Sequence, residues 1–520
     1  MSDLSDRPLH WDPFNQEYYP NPYPIYKRMR AEAPLYYNSE HDFYAVSRYD
    51  DVQRVFSDRD TFSSARGDVF EHIKSNAPIP KGMFIAEDPP LHTVHRGVVT
   101  RVFTPKRMQA LDKAIRAFCA QALDPLVPGG EFDFIEDFGQ EMPMRVIGML
   151  LGIPEQDLQL VRAKVDETHY VEPGKPKNME GVNFLDENYD EYITWREQNP
   201  SDDLMTELLN VEFEDENGVV RKLDRPEVLM FVTMIAAAGN ETTNRHIGWI
   251  GKVLADHPDQ RRQIHENRAL IPQTIEEILR YEPPGPCVSR YVARDTEFHG
   301  AKVPEGSIMI AIAASGNRDD RKFENGEAFN IHRERLPHFS FGYGFHNCLG
   351  NALARVEGRI ALDEILNRFP EWNVDNEKAF LAPSSTTRGY KSLPAYTPYA
   401  KRGARAAAKS SAKKDASPAA APDGAEAWAI SMKTPGGPQD LTAYLVRENA
   451  KLTGRIDSKM GAIEIKDGKI DGDTLSWTMH VKKPMPVKLS FNVKVAGDAM
   501  TGKAKLGMFG EAEVTGQLQA

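Results

Sequence analysis

Cys348 is one of only three cysteines in the chain, and its neighbours suit it best for chemistry. It stands in Phe341-Gly342-Tyr343-Gly344-Phe345-His346-Asn347-Cys348-Leu349-Gly350. The glycines at 342, 344 and 350 remove side chains, so a large flat group can approach the backbone, and a helical pattern begins just after the sulfur. The positive end of such a helix favours a thiolate. The amides of Leu349 and Gly350 are placed to hydrogen-bond that sulfur and tune its electron donation to a metal. The competing reading is a structural cysteine buried in a Gly-rich turn.

Three further groupings carry polar side chains at spacings that bring them together. Ala238-Gly239-Asn240-Glu241-Thr242-Thr243 puts an acid and two hydroxyls inside a long apolar helical run; the alternative is a polar kink between two shorter helices. Glu277 and Arg280, three apart, share one helical face, as many surface ion pairs do. His92 and Arg96 share a face in the same way, four apart.

In their order along the chain the motifs resemble those of the cytochrome P450 family, of the soluble bacterial type, over about Asp12 to Tyr399. The family's cysteine loop, Phe-x-x-Gly-x-x-x-Cys-x-Gly, is matched by Phe341, Gly344, Cys348 and Gly350. The resemblance implies a haem b whose iron takes Cys348 as axial ligand, the thiolate pushing electron density onto the iron to favour O–O cleavage. It implies that Glu241 and Thr242 relay protons through water to dioxygen at the haem, and that Glu277 and Arg280 form a structural pair holding the segment near Phe329 to Arg333. His92, Arg96, Arg290 and His346 match the contacts to the haem propionates, where charge-assisted hydrogen bonds are strong if partly buried.

The reaction implied is insertion of one oxygen atom from O2 into an apolar small molecule: a terpenoid, a steroid or a fatty-acid-like chain. Candidate pocket walls are Phe84, Ile85 and Ala86, then Ala237 and Ala238, then Pro286, Cys287 and Val288, any of which serves equally well as plain core. The chain has no flavin or nicotinamide fingerprint and no Cys-rich cluster loop, so electrons are expected from a ferredoxin and its reductase. Arg101, Lys106, Arg355 and Arg359 are candidates for that docking face, or simply a solvated one. Two other classes stay open: a haem carrier or sensor without turnover, and an isomerase or peroxygenase on the same haem. The paired acid and alcohol favour reductive use of dioxygen, since a binder needs no proton relay and peroxide-using relatives commonly lack the pair.

The elements that must position these groups are mainly α with a minor β-sheet. Helical periods run from Pro105 to Leu123, Leu204 to Leu209, Glu227 to Asp256 and Ile271 to Tyr281, with strand-like runs at Phe43–Val46 and Ser307–Ala313. The resemblance implies one prism-shaped haem domain over 1–400. Residues 401–424, rich in Ala, Lys, Ser and Pro, read as a flexible linker. In 425–520, Leu475, Trp477, Met479 and Val481 alternate with polar residues, as do Val487, Leu489, Phe491, Val493 and Val495. Turn signals recur at Gly436-Gly437-Pro438, Asp467-Gly468, Asp471-Gly472-Asp473, Gly497-Asp498 and Gly507, so this tail is expected to be an antiparallel meander closed as a small barrel or sandwich. It is read as a binding or interaction module, or else a folding module without a ligand.

Bulk properties agree. At 520 residues, 41% hydrophobic, the chain can bury large cores, and its net charge of −12 argues against a nucleic-acid partner. The start, Met1 to Pro8, lacks a basic segment followed by an apolar run. The longest apolar run, Val228 to Ala238, is shorter than the roughly 18 to 20 residues a membrane span needs. Three scattered cysteines encode neither a disulfide framework nor a zinc site, so a cytoplasmic protein is expected.

Overall fold

A single helix, Arg225–Asp256, organises the first part of the chain. Asp224 accepts from the Glu227 amide while the Glu227 side chain accepts from the Asp224 amide, a reciprocal cap that fixes where the helix starts. The polar stretch at 240–243 does not divide it: Thr242 Oγ1 donates to Ala238 O at 2.8 Å, satisfying the hydroxyl inside the turn. The kinked pair of shorter helices is therefore excluded. Gly251 lets the helix lie against the ring of Phe134, which a Cβ there would meet at 2.6 Å.

The computed structural model describes residues 8–158, 174–177, 179, 188–384, 386–400, 424–434, 437–448, 450–458, 461–481, 487–506 and 511–519. They fall into two compact units, the first holding the helices and small sheets, the second the strands from Glu426 to Leu518. The expected linker lies, apart from Gly424, outside the described residues, as do Gly436 and Gly507 of the expected turns.

In the first unit the long helix packs against helices Glu141–Leu151 and Asn351–Arg368, and the latter also packs against Ile271–Tyr281. The expected helix from Pro105 to Leu123 is two, Pro105–Ala110 and Asp112–Leu123, separated at Leu111 where ψ opens to −8°. Phe43–Val46 is a strand as expected, whereas the Ser307–Ala313 run shortens to strand Ile308–Ala311 because Ala313–Gly316 turns into a short helix. These strands lie in a mixed five-stranded sheet in the order 35–38, 43–46, 308–311, 288–292, 62–63. Arg290 pairs in register with Met309, so the sheet sets its position.

The second unit is a closed barrel of eight sequential antiparallel strands, Glu511–Leu518 pairing back onto Glu426–Thr434. Its interior is filled by Trp428, Met432, Leu475, Trp477, Met479, Phe491 and Val493 with smaller residues between them. Trp477 stacks on its cross-strand partner Phe491 with centroids 4.8 Å apart. The Gly472-Asp473 and Gly497-Asp498 turns are two-residue hairpin loops, but Asp467-Gly468 is a register shift within strand Gly461–Asp471. Gly468 passes so close to Leu452 that a Cβ would meet the Leu452 carbonyl oxygen at 1.9 Å. Trp477→Ala should cost the barrel about 3–5 kcal/mol. Amide exchange would show this as faster exchange across Glu426–Leu518 with the helical unit unchanged; equal loss in both units would contradict separate folding.

Candidate active site

The cysteine loop is shaped by two glycines in left-handed backbone, Gly342 at φ +67° and Gly344 at φ +70°. For Gly344 the role is conformational, since a Cβ there would meet the Phe56 carbonyl at 3.0 Å and Gly344 does not line the cavity that Cys348 faces, whereas Gly342 does line it. Cys348 N–H donates to Phe341 O at 2.7 Å, and helix Asn351–Arg368 starts three residues on. By surface area Cys348 is exposed, yet that exposure opens into the cavity and the thiol is enclosed by protein. This burial pushes its pKa up, while the Gly350 amide, Arg96 and Arg355 pull it down. A metal cation bound there would complete the deprotonation.

The cavity measures about 330 Å³ and its lining is mostly apolar. The long helix shares this lining with the sulfur-bearing loop and contributes Met234, Ile235, Ala238, Thr242 and His246. Of the pocket walls read from sequence, Phe84, Ile85, Ala238 and Val288 line it. Ala86, Ala237, Pro286 and Cys287 do not: Ala86 is buried, and Cys287 packs with Tyr26 in the core beneath the N-terminal sheet. Missed by sequence reasoning were Met234, Ile235, Ile147 and the buried Glu357, whose carboxyl pKa burial pushes well up.

Glu241 and Thr242 are adjacent in sequence but face different surroundings. Thr242 opens onto the cavity. Glu241 is buried beside it, accepting from Thr387 Oγ1 at 2.7 Å and from Arg245 Nη2 at 3.3 Å. The hydroxyl is thus placed to touch a reactant, and the acid is placed to act through another group.

Around the cysteine loop four nitrogen-bearing side chains converge. The rings of His92 and His346 lie 4.1 Å apart. Burial, then Arg96, pushes His92 down to about 4; burial, then Arg290, depresses His346 further. Both ring nitrogens of His92 and Nε2 of His346 are buried without a hydrogen-bond partner among the described residues. Arg290 is 3% exposed and donates to Ser289 O at 2.8 Å; Arg96 donates to Asn347 O. Buried donors left unmet are costly, and two guanidiniums beside two neutral imidazoles form a receptor for carboxylates. With a sulfur facing a flat apolar slot, this donor set fits a haem with its propionates. Arg96, Arg290, His346, Phe341, Cys348 and Gly350 line the cavity; His92 stands behind His346.

Glu277 and Arg280 are both 2% exposed. Arg280 donates twice to the Glu277 carboxylate, at 2.7 and 2.8 Å, and Glu277 also accepts from the Asn330 amide at 2.9 Å and Arg333 Nε at 3.1 Å. The pair therefore ties helix Ile271–Tyr281 to the segment near 330. Of the candidate docking cations, Arg101 and Lys106 are exposed, but Arg355 is half-buried and engaged by Glu276 at 2.6 Å, and Arg359 donates to Arg355 O.

Comparison with known proteins came to the same place. The cytochrome P450 family model matches residues 175–389. Cytochrome P450 109 of Bacillus spizizenii is 34% identical over 384 residues, 72% of this chain and 91% of that protein. CYP109E1 from Bacillus megaterium, solved in complex with testosterone, is similar with a TM-score of 0.66 at 28% identity, covering 74% of this chain and 100% of that one. A mutant of P450 EryK in complex with erythromycin B gives a TM-score of 0.64 at 29% identity, covering 72% of this chain and 96% of that one.

Proposed function

We propose that this chain, which belongs to the cytochrome P450 family and is a haem-dependent monooxygenase, inserts one atom of O2 into a bulky apolar molecule of terpenoid, steroid or fatty-acid-like type. The observation that carries this reading is one mostly apolar cavity lined by both Cys348 and Thr242. Haem b, when bound, supplies the oxygen-activating chemistry, made electron-rich by its thiolate ligand. Cys348 would hold it through its sulfur, which the Gly350 N–H steadies. Arg96, Arg290 and His346 would hold its carboxylates, with His92 packed against His346. Phe84, Met234, Ala238 and Val288 orient the substrate and exclude water. Thr242 presents Oγ1 to the cavity as an acceptor while its own proton goes to Ala238 O, and Glu241 would supply protons through water from behind.

The relatives solved with testosterone and with erythromycin B support a bulky substrate, and the mostly apolar lining supports an apolar one. Electrons come from a ferredoxin and its reductase, with the exposed Arg101 and Lys106 on the docking face. No described helix is long and apolar enough to cross a membrane, and we place the protein in the cytoplasm. The two units act as separate domains joined through 401–424, and the barrel, its interior filled by its own side chains, serves as an interaction module through its outer surface. Deleting everything after Tyr399 should then weaken turnover or substrate affinity; unchanged turnover, affinity and yield would remove that role.

The test is a screen of apolar compounds for a shift in the ferric haem spectrum, followed by turnover with a ferredoxin system. Oxygenated product is expected. Binding without product would make the chain a carrier or sensor, and product only with hydrogen peroxide a peroxygenase. Thr242→Ala should lower product formed per electron consumed by about 100-fold, within the usual range for losing an acid–base group. Electron consumption itself should continue, which separates a lost proton from a lost fold.

A further inference from the structure

Glu227, in the first turn of the long helix, has no solvent exposure and gathers cations from three other segments. Arg221 reaches its two oxygens at 2.7 and 2.9 Å, Lys81 Nζ lies at 3.1 Å, and His95 Nε2 at 3.4 Å, an ion-pair distance rather than an aligned hydrogen bond. The other ring nitrogen, His95 Nδ1, lies 2.8 and 2.9 Å from the oxygens of Glu87. His95 is likewise fully buried. Glu87 follows directly on the Phe84–Ala86 turn, part of the cavity wall, whereas Glu227 belongs to the long helix, which also lines the cavity. The rings of Phe84 and His95 both meet Phe231 edge-on, at 5.5 and 5.6 Å.

We propose that His95 is a positioning residue: its imidazolium, shared between Glu87 and Glu227, clamps the segment Lys81–Glu87 onto the long helix and so fixes the Phe84–Ile85 wall of the substrate cavity. This rests on the cavity being the substrate site. Only a doubly protonated ring presents N–H to both carboxylates; a neutral ring turns a lone pair towards one of them. Two buried carboxylates from different segments then face each other without a cation between them.

The groups around His95 are the Glu87 and Glu227 carboxylates, Lys81 and Arg221 on Glu227, Asp224 on Lys81 at 2.6 Å, and His92 on its own helix. Burial alone would lower its pKa, but Glu227 and Glu87 outweigh burial and push it up to about 9. The raised value fixes the sign: the clamp is fully present below the ordinary histidine pKa of about 6.5 and is lost as pH rises through about 9.

The test uses the full holoenzyme. Amide exchange of residues 81–87, corrected for its intrinsic pH dependence, should lose protection with a midpoint near pH 9 in the parent. Binding of phenylimidazole, which ligates the haem iron and fills the cavity, should weaken in parallel. His95→Gln should exchange fast at every pH and bind the probe about tenfold more weakly, losing one pK unit's worth of interaction, with its reduced carbon-monoxide spectrum intact. Glu87→Gln covers the case in which that variant does not fold: its midpoint should move to lower pH. Parent-like protection in His95→Gln, or an unmoved midpoint in Glu87→Gln, would overturn the proposal. The exchange arm needs no substrate, so its failure is distinct from a failure of the monooxygenase reading.

Discussion

Cys348→Ser protein is expected to fold and yet to lose both the thiolate-type haem spectrum and measurable turnover. The change removes little volume, and the loop is held by contacts the side chain does not make: Cys348 N–H to Phe341 O, and Asn351 Nδ2 to Cys348 O at 2.6 Å. What changes is the ligand. A thiol ordinarily ionises near pH 8.5. Here burial opposes ionisation while the Gly350 amide, Arg96 and Arg355 favour it, so a metal cation can take the proton's place. A serine hydroxyl in the same surroundings remains a neutral, weak donor. The checks are circular dichroism, haem content, the reduced carbon-monoxide spectrum and product formation. Parent-like turnover by Cys348→Ser would remove Cys348 from the chemistry.

Arg280→Met should destabilise the helical unit by about 3–5 kcal/mol, the cost of stranding a buried ion partner. Besides both Glu277 bonds, Arg280 donates to Asn317 O at 2.8 Å, Gly326 O at 2.8 Å and Ala328 O at 3.0 Å. Its loss leaves a buried carboxylate and three carbonyls short of donors. Against a usual total of about 5–15 kcal/mol, this is enough to cut yield and haem retention. Denaturant unfolding measures it. The double variant Glu277→Met with Arg280→Met should lose at least as much as Arg280→Met alone, because it also takes the carboxylate from Arg333 and from the Asn330 amide. A single variant within about 0.5 kcal/mol of the parent, as for an ordinary surface change, would contradict the buried role.

The cysteine loop and the order of motifs were legible because they are local: each needs only a few neighbouring residues. So were helix Ile271–Tyr281, whose observed bounds match the expected ones, and strand Phe43–Val46. Facing was harder. Ala238 and Thr242, four apart, share the cavity face of the long helix, while Ala237 and Glu241 share the adjacent one with Arg245. A pattern apolar on all sides carries no phase to tell these faces apart. The same holds for Val288 and Arg290, two apart on one face of a strand that Cys287 does not share. Whether the tail closes as barrel or sandwich rests on Trp428 pairing with Leu518, a contact between the ends of the domain that a period-two pattern does not encode. His95 could not be read at all, since nothing local links it to Glu227; only the folded chain brings them together.

The most direct test of a sulfur-ligated haem is the absorption spectrum of the purified, reduced, carbon-monoxide-bound protein. A red-shifted thiolate-type Soret band is predicted for the parent chain. A nitrogen-type band in intact, catalytically active protein would contradict it and detach Cys348 from the iron.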